Sequence, residues 1–543
     1  MSLQLINESM GADSYQILCA CAKRKLAVKG CSLGDGYAVR LCLDDQLQND
    51  RYILTPEKNG ITLTAANDCA LHAAFGRFLL ESRFDGRGGF LPVETPIDFT
   101  PKKALRGIYF ATHFLNFYHS APIAEVYEVI EDIALWGCNS LLVWFDMHHF
   151  SSMEEPGAQA LVQRLHALLA YANRIGMGGS MIMLGNEAFN NTPEHLLARY
   201  DANGCYRIAP YDHYHLEICP SVPGGTERIL AQREQMLAYF ADLKIDYVIY
   251  WPYDQGGCTC EKCQPWGSNG FLKLMPKFQE TVRKYLPEAK FIVSTWYFDR
   301  FVDGEWQGFY NQLKTDIFSD VSYIMAFFFR GEMPKCLAEN GAPEGVEFID
   351  FPEISMYSCS PWGGFGASVL TRFLQKTNDI CASMYQGGFP YSEGIFEDAN
   401  KFISLMSYSG LYPNAFDALR AYVRSEFCCE DEALLDAIIA TETALARKED
   451  KTANPYRCVI KDTSDIDFVH ETLARYNATL PGNVTRSRNF RLFYLRSVID
   501  YEMKEHDFYP SRSARCQQAL KELIEIYHAR PDSHHWVLPP YGK

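Results

Sequence analysis

The sequence lacks the features of a membrane or secreted protein. No part of its 543 residues reaches the roughly 18 consecutive apolar residues that a membrane-spanning helix needs. The first residues, MSLQLINESMGADSYQ, contain no basic segment followed by an apolar one, which a secretory signal would have. We therefore expect a cytoplasmic protein that has no membrane partner.

The sequence also lacks an excess of basic residues. It has 51 Lys and Arg against 67 Asp and Glu, so the net charge is −16, and no Lys/Arg-rich tract offsets it. Such a surface repels phosphate backbones, so we expect no nucleic-acid partner. A phosphate-binding loop of the G-x-x-x-x-G-K-[ST] type and an H-E-x-x-H zinc motif are absent as well. Nothing in the sequence indicates an oligomeric state.

The 18 cysteines do not predict a disulfide framework. Many lie inside apolar runs, among them Cys19, Cys21, Cys42 and Cys138. In a reducing compartment such cysteines behave as small hydrophobic residues. We expect them to be reduced and packed into the core.

Residues 1–100 predict a small α+β domain. The segments 37–45 and 60–68 alternate apolar and polar residues as strands do, and 69–84 has apolar residues at helical spacing. The following segment, 90–104, contains three prolines and predicts a linker.

Residues 101–411 predict a (β/α)8 TIM barrel, so the fold class is α/β. Short apolar runs recur there, each ending in polar or aromatic residues, and helical stretches separate most of them. This alternation implies a parallel sheet, and eight units in about 290 residues fit the barrel. A doubly wound open sheet is the alternative, but polar residues at strand ends favour the barrel, which builds its sites there. The runs are 106–114, 139–150, 178–189, 246–257, 290–301, 321–330, 345–355 and 384–394.

Residues 412–543 predict an all-helical C-terminal domain. The strand signals stop there, and segments with apolar residues at i, i+3 and i+4 follow one another. About five helices are expected at the usual helix length.

Carboxylates and aromatic residues gather at the ends of the predicted barrel strands. Cleavage of a glycosidic bond needs two carboxyl groups, because the leaving oxygen is protonated while the sugar centre is attacked or stabilised. Asp254 after the fourth strand and Glu353 after the seventh are the candidate catalytic pair, with Glu187 after the third in reserve. For any single acid, the alternative is a helix cap or a solvated loop charge.

Three segments resemble known carbohydrate-active enzymes. Residues 51–80 resemble the N-terminal α+β domain of family 20 β-N-acetylhexosaminidases and family 67 α-glucuronidases. LRGIYFATHF (105–114) resembles the first barrel strand of the hexosaminidases. YSEGIFEDANK (391–401) and the helical tail resemble bacterial proteins that combine these three domains. The resemblance implies a glycoside hydrolase with a hexosaminidase-like N-terminal domain, a barrel and a helical C-terminal domain.

The resemblance also implies roles for single residues. Arg106 matches an arginine that binds hydroxyls of the terminal sugar, Glu393 an acid that holds hydroxyls from the opposite side, and Trp296 an aromatic residue of the sugar pocket. Asp254 falls near an Asp-Glu pair whose Glu is the acid, but here Gln255 follows it, and an amide cannot donate a proton as an acid does. Either Asp254 is the acid, or the acid lies elsewhere, or the protein is not catalytic.

The candidate substrate-binding residues are aromatic, basic or acidic side chains at or near predicted strand ends. Arg330 would be the basic partner of a uronate, and the alternative for His148 is a loop histidine without a role. The full set is Arg106, His113, Trp144, His148, Trp251, Tyr253, Trp296, Arg330, Trp362, Tyr391 and Glu393.

A cysteine cluster follows the fourth predicted strand. Cys258, Cys260 and Cys263 have the spacing C-x-C-x-x-C, and Cys219 on the preceding loop would complete four ligands for a structural zinc ion. The alternative is a group of free thiols packed under the loop. Catalysis itself is expected to need no cofactor.

Three functions remain open from the sequence. The first is an exo-acting glycoside hydrolase that takes small oligosaccharides or glycosides, either hexosaminides or uronides. The second is a catalytically silent carbohydrate-binding barrel, in which Gln255 marks a lost acid. The third is a lyase or metal-dependent enzyme that uses the cysteine cluster.

Overall fold

The computed structural model describes most of the chain. It covers residues 1–113, 115–199, 216–252, 257–300, 302–313, 315–326, 332–355, 366–444, 447–450, 457–460 and 462–530. For 447–450 and 457–460 only the backbone pairing is described.

A mixed sheet with helices on it forms the N-terminal part. Val39 and Leu41, alternate residues of one strand, are buried in the core, as their period-two pattern predicts. Asn67 caps the second helix by accepting a hydrogen bond from the Ala70 N–H at 2.9 Å. The strands are β1 (Ser2–Asn7), β2 (Ser32–Leu33), β3 (Tyr37–Leu43), β4 (Tyr52–Glu57), β5 (Gly60–Ala65), β6 (Arg83–Phe84), β7 (Phe90–Leu91) and β8 (Ile97–Phe99), and the helices are α1 (Ala12–Val28) and α2 (Asp68–Glu81). The main sheet has the order β2-β1-β3-β5-β4-β8.

A closed parallel barrel follows. Its strands are β9 (Leu105–Phe110), β10 (Ser140–Trp144), β11 (Gly178–Leu184), β12 (Ile245–Trp251), β13 (Lys290–Ser294), β14 (Val321–Ala326), β15 (Phe348–Asp350) and β16 (Tyr385–Gly388), with β17 (Tyr391–Ser392) continuing past Pro390. Each strand pairs with the next in parallel, and β9 pairs with both β10 and β16. The described residues therefore confirm the predicted eight-stranded barrel.

The barrel closes at a glycine. Gly387 pairs with Leu105 and has a φ of +125°, and a Cβ there would lie 1.6 Å from the Leu105 carbonyl oxygen. Only glycine fits this close approach, because any side chain would collide with the first strand. A separate apolar cluster that includes Leu142, Ile249 and Ile292 fills the interior of the barrel.

Helices cover the outside of the barrel and join it to the N-terminal part. The barrel helices are α3 (Phe117–Ser120), α4 (Ile123–Leu135), α5 (Pro156–Ile175), α6 (Gly225–Leu237), α7 (Gly270–Tyr285), α8 (Glu305–Gln312), α9 (Lys335–Asn340), α10 (Thr371–Cys381) and α11 (Asp398–Ser409). Helix α2 lies tightly against α4, where a Cβ on Gly76 would come within 1.9 Å of the Leu135 carbonyl oxygen. The two parts therefore share a packed interface.

The C-terminal part is mainly helical. It contains α12 (Ala415–Phe427), α13 (Glu432–Ala444), α14 (Ile466–Thr479), α15 (Gly482–Thr485), α16 (Arg488–Glu505) and α17 (Ala514–Tyr527). An antiparallel pair, β18 (Arg447–Asp450) and β19 (Arg457–Ile460), interrupts the helices, which differs from the all-helical expectation. The predicted domain boundaries after residues 100 and 411 fall between β8 and β9 and between α11 and α12. Among the described residues, no helix is both long and apolar enough to cross a bilayer.

The position of Arg106 corrects one sequence prediction. It is the second residue of β9, so it lies at the N-terminal end of the barrel. Its guanidinium donates to the Asp50 carboxylate at 2.5 Å, to the Gly137 carbonyl at 2.9 Å and to the Lys103 carbonyl at 2.8 Å. The predicted sugar-binding role of Arg106 is wrong, because its side chain fastens the N-terminal part to the end of the barrel opposite the strand C-termini.

Candidate functional site

Aromatic side chains line the C-terminal ends of the barrel strands. Trp251 at the end of β12 lies 5.3 Å from Trp296 and 5.0 Å from Phe351, measured between ring centroids. Phe351, just after β15, lies 6.2 Å from Tyr391. These rings form a continuous apolar wall from the fourth to the eighth strand, and such a wall suits the faces of a bound ring. Phe351 was missed from the sequence, although an aromatic residue at a strand end is a usable signal.

His113 extends this wall to the first strand. Its Nε2 lies 3.4 Å from the Tyr391 hydroxyl and its Nδ1 lies 3.5 Å from the Tyr109 hydroxyl. Its ring centroid is 5.0 Å from that of Trp144. Burial lowers the pKa of His113 to about 3, because the charged imidazole loses its water. His113 is therefore neutral near pH 7 and offers one donor and one acceptor.

Glu393 is a buried carboxyl group beside Tyr391. The Tyr391 hydroxyl donates to Glu393 Oε1 at 2.7 Å, and only 2% of Glu393 is exposed. Burial raises its pKa well above the usual range, and the neighbouring carboxylates of Glu397 and Glu353 add to the rise. Its other oxygen, Oε2, has no hydrogen-bond partner among the described residues. Such a carboxyl group stays protonated where an exposed glutamate is ionised, so it has a hydroxyl to offer a ligand.

The turn that carries Glu393 is held from two sides. Glu397 Oε1 accepts from the Ser392 hydroxyl at 2.7 Å, the Glu393 N–H at 2.6 Å and the Gly394 N–H at 2.8 Å. From α17, the Tyr527 hydroxyl donates to the Glu393 carbonyl at 2.9 Å. The C-terminal helices therefore contribute directly to the position of this part of the site.

Glu353 lies next to Tyr391 at the end of β15. The two residues form a parallel bridge between the seventh and eighth strands. Glu353 is partly exposed, and its Oε1 accepts from the Ser355 N–H at 2.7 Å. Its position beside the aromatic wall fits a carboxylate that faces a bound ring.

A second group of charges lies at the ends of β10 and β11. Glu187 Oε1 accepts from the Met147 N–H at 2.9 Å and the His148 N–H at 3.3 Å, and His148 Nδ1 lies 3.5 Å from it. His148 Nδ1 also contacts Asp146 Oδ1, and His149 Nε2 is 3.1 Å from Asp146 Oδ2. The contact between His148 and Asp146 is a buried ion pair. Because Glu187 holds the backbone of the Asp146–His149 loop, it is a candidate positioning residue as well as the reserve acid.

The ion pair between Asp146 and His148 shifts the pKa of both side chains. Burial opposes the positive charge of His148, but the Asp146 carboxylate outweighs it and raises the pKa of His148 to about 10. Burial likewise opposes the negative charge of Asp146, and the His148 cation holds its pKa well below the usual range. His148 is therefore a cation at the barrel mouth near pH 7.

The raised pKa of His148 predicts how stability depends on pH. The folded state keeps the His148 proton between the unfolded pKa of about 6.5 and the folded pKa of about 10. The stabilisation is complete below pH 6.5, decreases steadily as pH rises above 6.5, and is lost once pH passes about 10. We expect the melting-temperature gap between wild type and His148→Gln to narrow steadily from pH 6 to pH 9. If the difference in melting temperature does not change with pH, the ion pair does not stabilise the fold.

Two groups of side chains that could hold a metal ion converge in the described residues. Asp146, His148 and His149 form the first, and their contacts are already explained by the ion pair. Cys219, Cys258, Cys260 and Cys263 form the second, in the loops after β11 and β12. The four cysteines proposed from the sequence thus come together in space.

Several predicted residues are not covered. Tyr253, Asp254, Arg330 and Trp362 lie outside the described residues; in sequence, Asp254 follows the last residue of β12 by three positions. The structure also reveals a buried arginine that sequence reasoning missed, Arg233 on α6. It donates to the carbonyls of Leu184 at 2.7 Å and Glu187 at 2.9 Å, so it fixes the end of β11. A lone arginine on a helix gives no sequence signal for this role.

Sequence comparisons give no relatives. No protein-family model matches the chain, and no curated protein matches it.

Solved structures share the architecture at low identity. The chain is similar to the family 89 glycoside hydrolase CpGH89 of Clostridium perfringens, with a TM-score of 0.59 and 12% identity, over 95% of this chain and 65% of that one. It is similar to the GH20 β-N-acetylhexosaminidase of Streptomyces coelicolor A3(2), with a TM-score of 0.53 and 13% identity, over 79% and 92% of the two chains. A GH115 4-O-methyl-α-glucuronidase, BtGH115A, gives a TM-score of 0.60 and 9% identity over 98% and 77%.

These similarities concern the fold. The chain spans about two thirds of the length of the Clostridium perfringens enzyme, 65%. The sequence motifs resemble family 20, and the fold of this chain is similar to that of the family 20 enzyme from Streptomyces. The chain therefore has the barrel architecture of several glycoside hydrolases, together with a helical C-terminal part.

Proposed function

We propose that this protein is a glycoside hydrolase that acts at the C-terminal face of its barrel. One observation carries the proposal: a wall of aromatic rings runs from Trp251 to Tyr391, with Glu353 and Glu393 beside it. Aromatic faces bind sugar rings, and carboxyl groups at fixed positions are what glycosidic cleavage needs. The fold that this chain shares with several glycoside hydrolases agrees with it.

Asp254 and Glu353 are the proposed catalytic pair. Asp254 follows β12 by three residues and comes soon after Trp251, and Glu353 follows β15. The fourth and seventh of eight strands lie nearly across the barrel from each other, so a sugar ring would fit between the two groups. Asp254 would protonate the leaving oxygen, while Glu353 would act as nucleophile or activate water. Glu187 is the reserve acid.

The remaining side chains would bind the sugar. The protonated Glu393 and the neutral His113 would share hydrogen bonds with its hydroxyls, and Trp251 and Trp296 would pack against its ring. Trp144, His148, Tyr253, Trp362 and Tyr391 complete the proposed set. Exo action on small oligosaccharides or glycosides is proposed; Arg330 would favour a uronide over a hexosaminide.

A panel of nitrophenyl glycosides tests this function. The panel contains both anomers of N-acetylhexosaminides and of glucuronides, and release of nitrophenol is followed by absorbance. We expect the wild-type protein to hydrolyse at least one member.

The alternative function, a catalytically silent carbohydrate-binding barrel, predicts a different result. The protein would then bind a sugar in calorimetry and release no nitrophenol from any panel member. That combination would favour the interpretation that Gln255 marks a lost acid.

A further inference from the structure

Four cysteine sulfur atoms from two loops meet at one point beside the barrel mouth. Cys219 Sγ lies 3.8 Å from Cys260 Sγ and 3.9 Å from Cys263 Sγ. All four Sγ atoms, including that of Cys258, lie within 4.8 Å of one another. Cys219, Cys258 and Cys263 are buried and Cys260 is partly exposed.

We propose that these four cysteines bind one zinc ion as a closed structural site. Zinc–thiolate bonds are about 2.3 Å long, and a regular tetrahedron with that radius has edges of about 3.8 Å. The two sulfur–sulfur distances of 3.8 and 3.9 Å match this edge. A disulfide would instead bring two sulfur atoms to about 2.05 Å. On binding, Zn²⁺ replaces four thiol protons, so the site carries a net charge of −2.

Hydrogen-bond donors around the sulfur atoms fit this negative charge. The Arg199 N–H donates to Cys258 Sγ at 3.4 Å, and the Ser221 hydroxyl lies 3.2 Å from Cys263 Sγ, where a thiolate would accept its proton. Thr259 fixes Arg199, because its N–H donates to the Arg199 carbonyl at 2.8 Å. Donors of this kind stabilise thiolate ligands and orient them.

The site would clamp two loops of the barrel face together. Cys219 belongs to the loop after β11, and its N–H donates to the Leu196 carbonyl at 2.9 Å. In the same loop, the backbones of Glu217 and Glu187 form an antiparallel β-bridge. The other three cysteines belong to the loop between β12 and α7. A hydrogen bond from the Gly270 N–H to the Cys263 carbonyl, at 3.0 Å, ties this loop to the start of α7. Four thiolates leave no open position for water, so the ion would hold structure and take no part in catalysis.

The clamp also has a consequence for the proposed active site. Asp254 precedes Cys258 by four positions, so the zinc ion would anchor the segment that carries the proposed acid. This consequence rests on the proposed function, whereas the metal site itself rests only on the sulfur geometry.

Metal analysis of the purified full chain tests the site. Mass spectrometry of the metal content should find one zinc ion per chain, and X-ray absorption should find four sulfur ligands at about 2.3 Å. Cys219→Ser and Cys263→Ser should each lose the zinc. Cys138→Ser, a change at a buried cysteine outside the cluster, should keep it. Zinc that survives in both cluster variants would overturn the proposal.

A measurement on the wild-type protein keeps the test valid if the cluster variants do not fold. A mercurial that titrates thiols should release zinc to a dye indicator only after the cluster thiols have reacted. Cobalt(II) in place of zinc should give the intense visible absorption of a tetrahedral thiolate site. The proposal of a metal site is wrong if the protein holds no metal, binds no added Zn²⁺ and leaves all four thiols freely reactive. The assignment to zinc is wrong if the site holds iron. These readouts do not depend on glycosidase activity, so the metal site and the proposed function fail or stand separately.

Discussion

Glu353→Gln and Asp254→Asn are each expected to lower the turnover of a hydrolysed glycoside by about 10²–10⁴-fold. Each change keeps the size of the side chain and removes the carboxyl group that the reaction needs. Asp254 lies close in sequence to the buried Trp251, and Glu353 lies beside Tyr391 at the barrel mouth. The measurement is kcat on the best panel substrate, with the melting temperature of each variant as the check on folding.

A leaving-group comparison separates a general acid from a residue that only shapes the loop. A dinitrophenolate leaves without help from an acid, whereas an alkyl alcohol does not. Relative to wild type, Asp254→Asn should therefore retain much more activity on the dinitrophenyl glycoside than on the alkyl glycoside.

Glu347→Gln is the matched control for Glu353→Gln, because Glu347 is an exposed glutamate just before β15, at the other end of the same strand. A folded Asp254→Asn variant with near-normal activity on both substrates would move the acid to Glu187.

Glu393→Ala is expected to lower kcat/KM by about 10–100-fold, whereas Glu393→Gln should stay close to wild type near pH 7. Alanine removes the hydroxyl offered to the sugar and leaves the Tyr391 hydroxyl without its acceptor, and an unpaired buried polar group costs about 1–3 kcal/mol. Glutamine resembles the protonated acid that burial favours at this position. Both variants are compared with wild type by steady-state kinetics.

The pH profile checks the protonation state of Glu393. As pH rises through its raised pKa, the wild-type group ionises beside Glu353 and Glu397, and its hydroxyl is lost. Wild-type activity should therefore fall at high pH in a step that Glu393→Gln lacks. If Glu393→Gln falls in parallel with wild type, or is as weak as Glu393→Ala at pH 7, Glu393 binds substrate as a carboxylate and this part of the account is wrong.

The barrel was predictable because its signal repeats. Each strand is a short apolar run with a polar or aromatic end, and eight such units leave few other folds. β18 and β19 have no comparable signal in the sequence, because they are four residues each and lie between helices. A single short antiparallel pair has too few residues to show a period.

The site was predictable in outline only. Trp251, Trp296 and Tyr391 were found because aromatic residues at strand ends share one edge of the sheet. Arg106 was misplaced because the motif carries no information on which end of the strand holds its side chain, and the Asp50 carboxylate that binds it comes from another part of the chain. The buried partners that set protonation, such as Glu353 for Glu393, come from distant parts of the chain, and sequence spacing does not reveal such contacts.

The most direct test of the central claim is the appearance of free sugar from the best panel glycoside, followed by proton NMR. The account predicts that the wild-type protein releases the sugar with many turnovers. It also predicts that the Asp254→Asn/Glu353→Gln double variant, with an unchanged melting temperature, releases none above the uncatalysed rate. Equal release by the folded double variant, or binding of the sugar by wild type without any release, would contradict a two-carboxyl hydrolase at this face of the barrel.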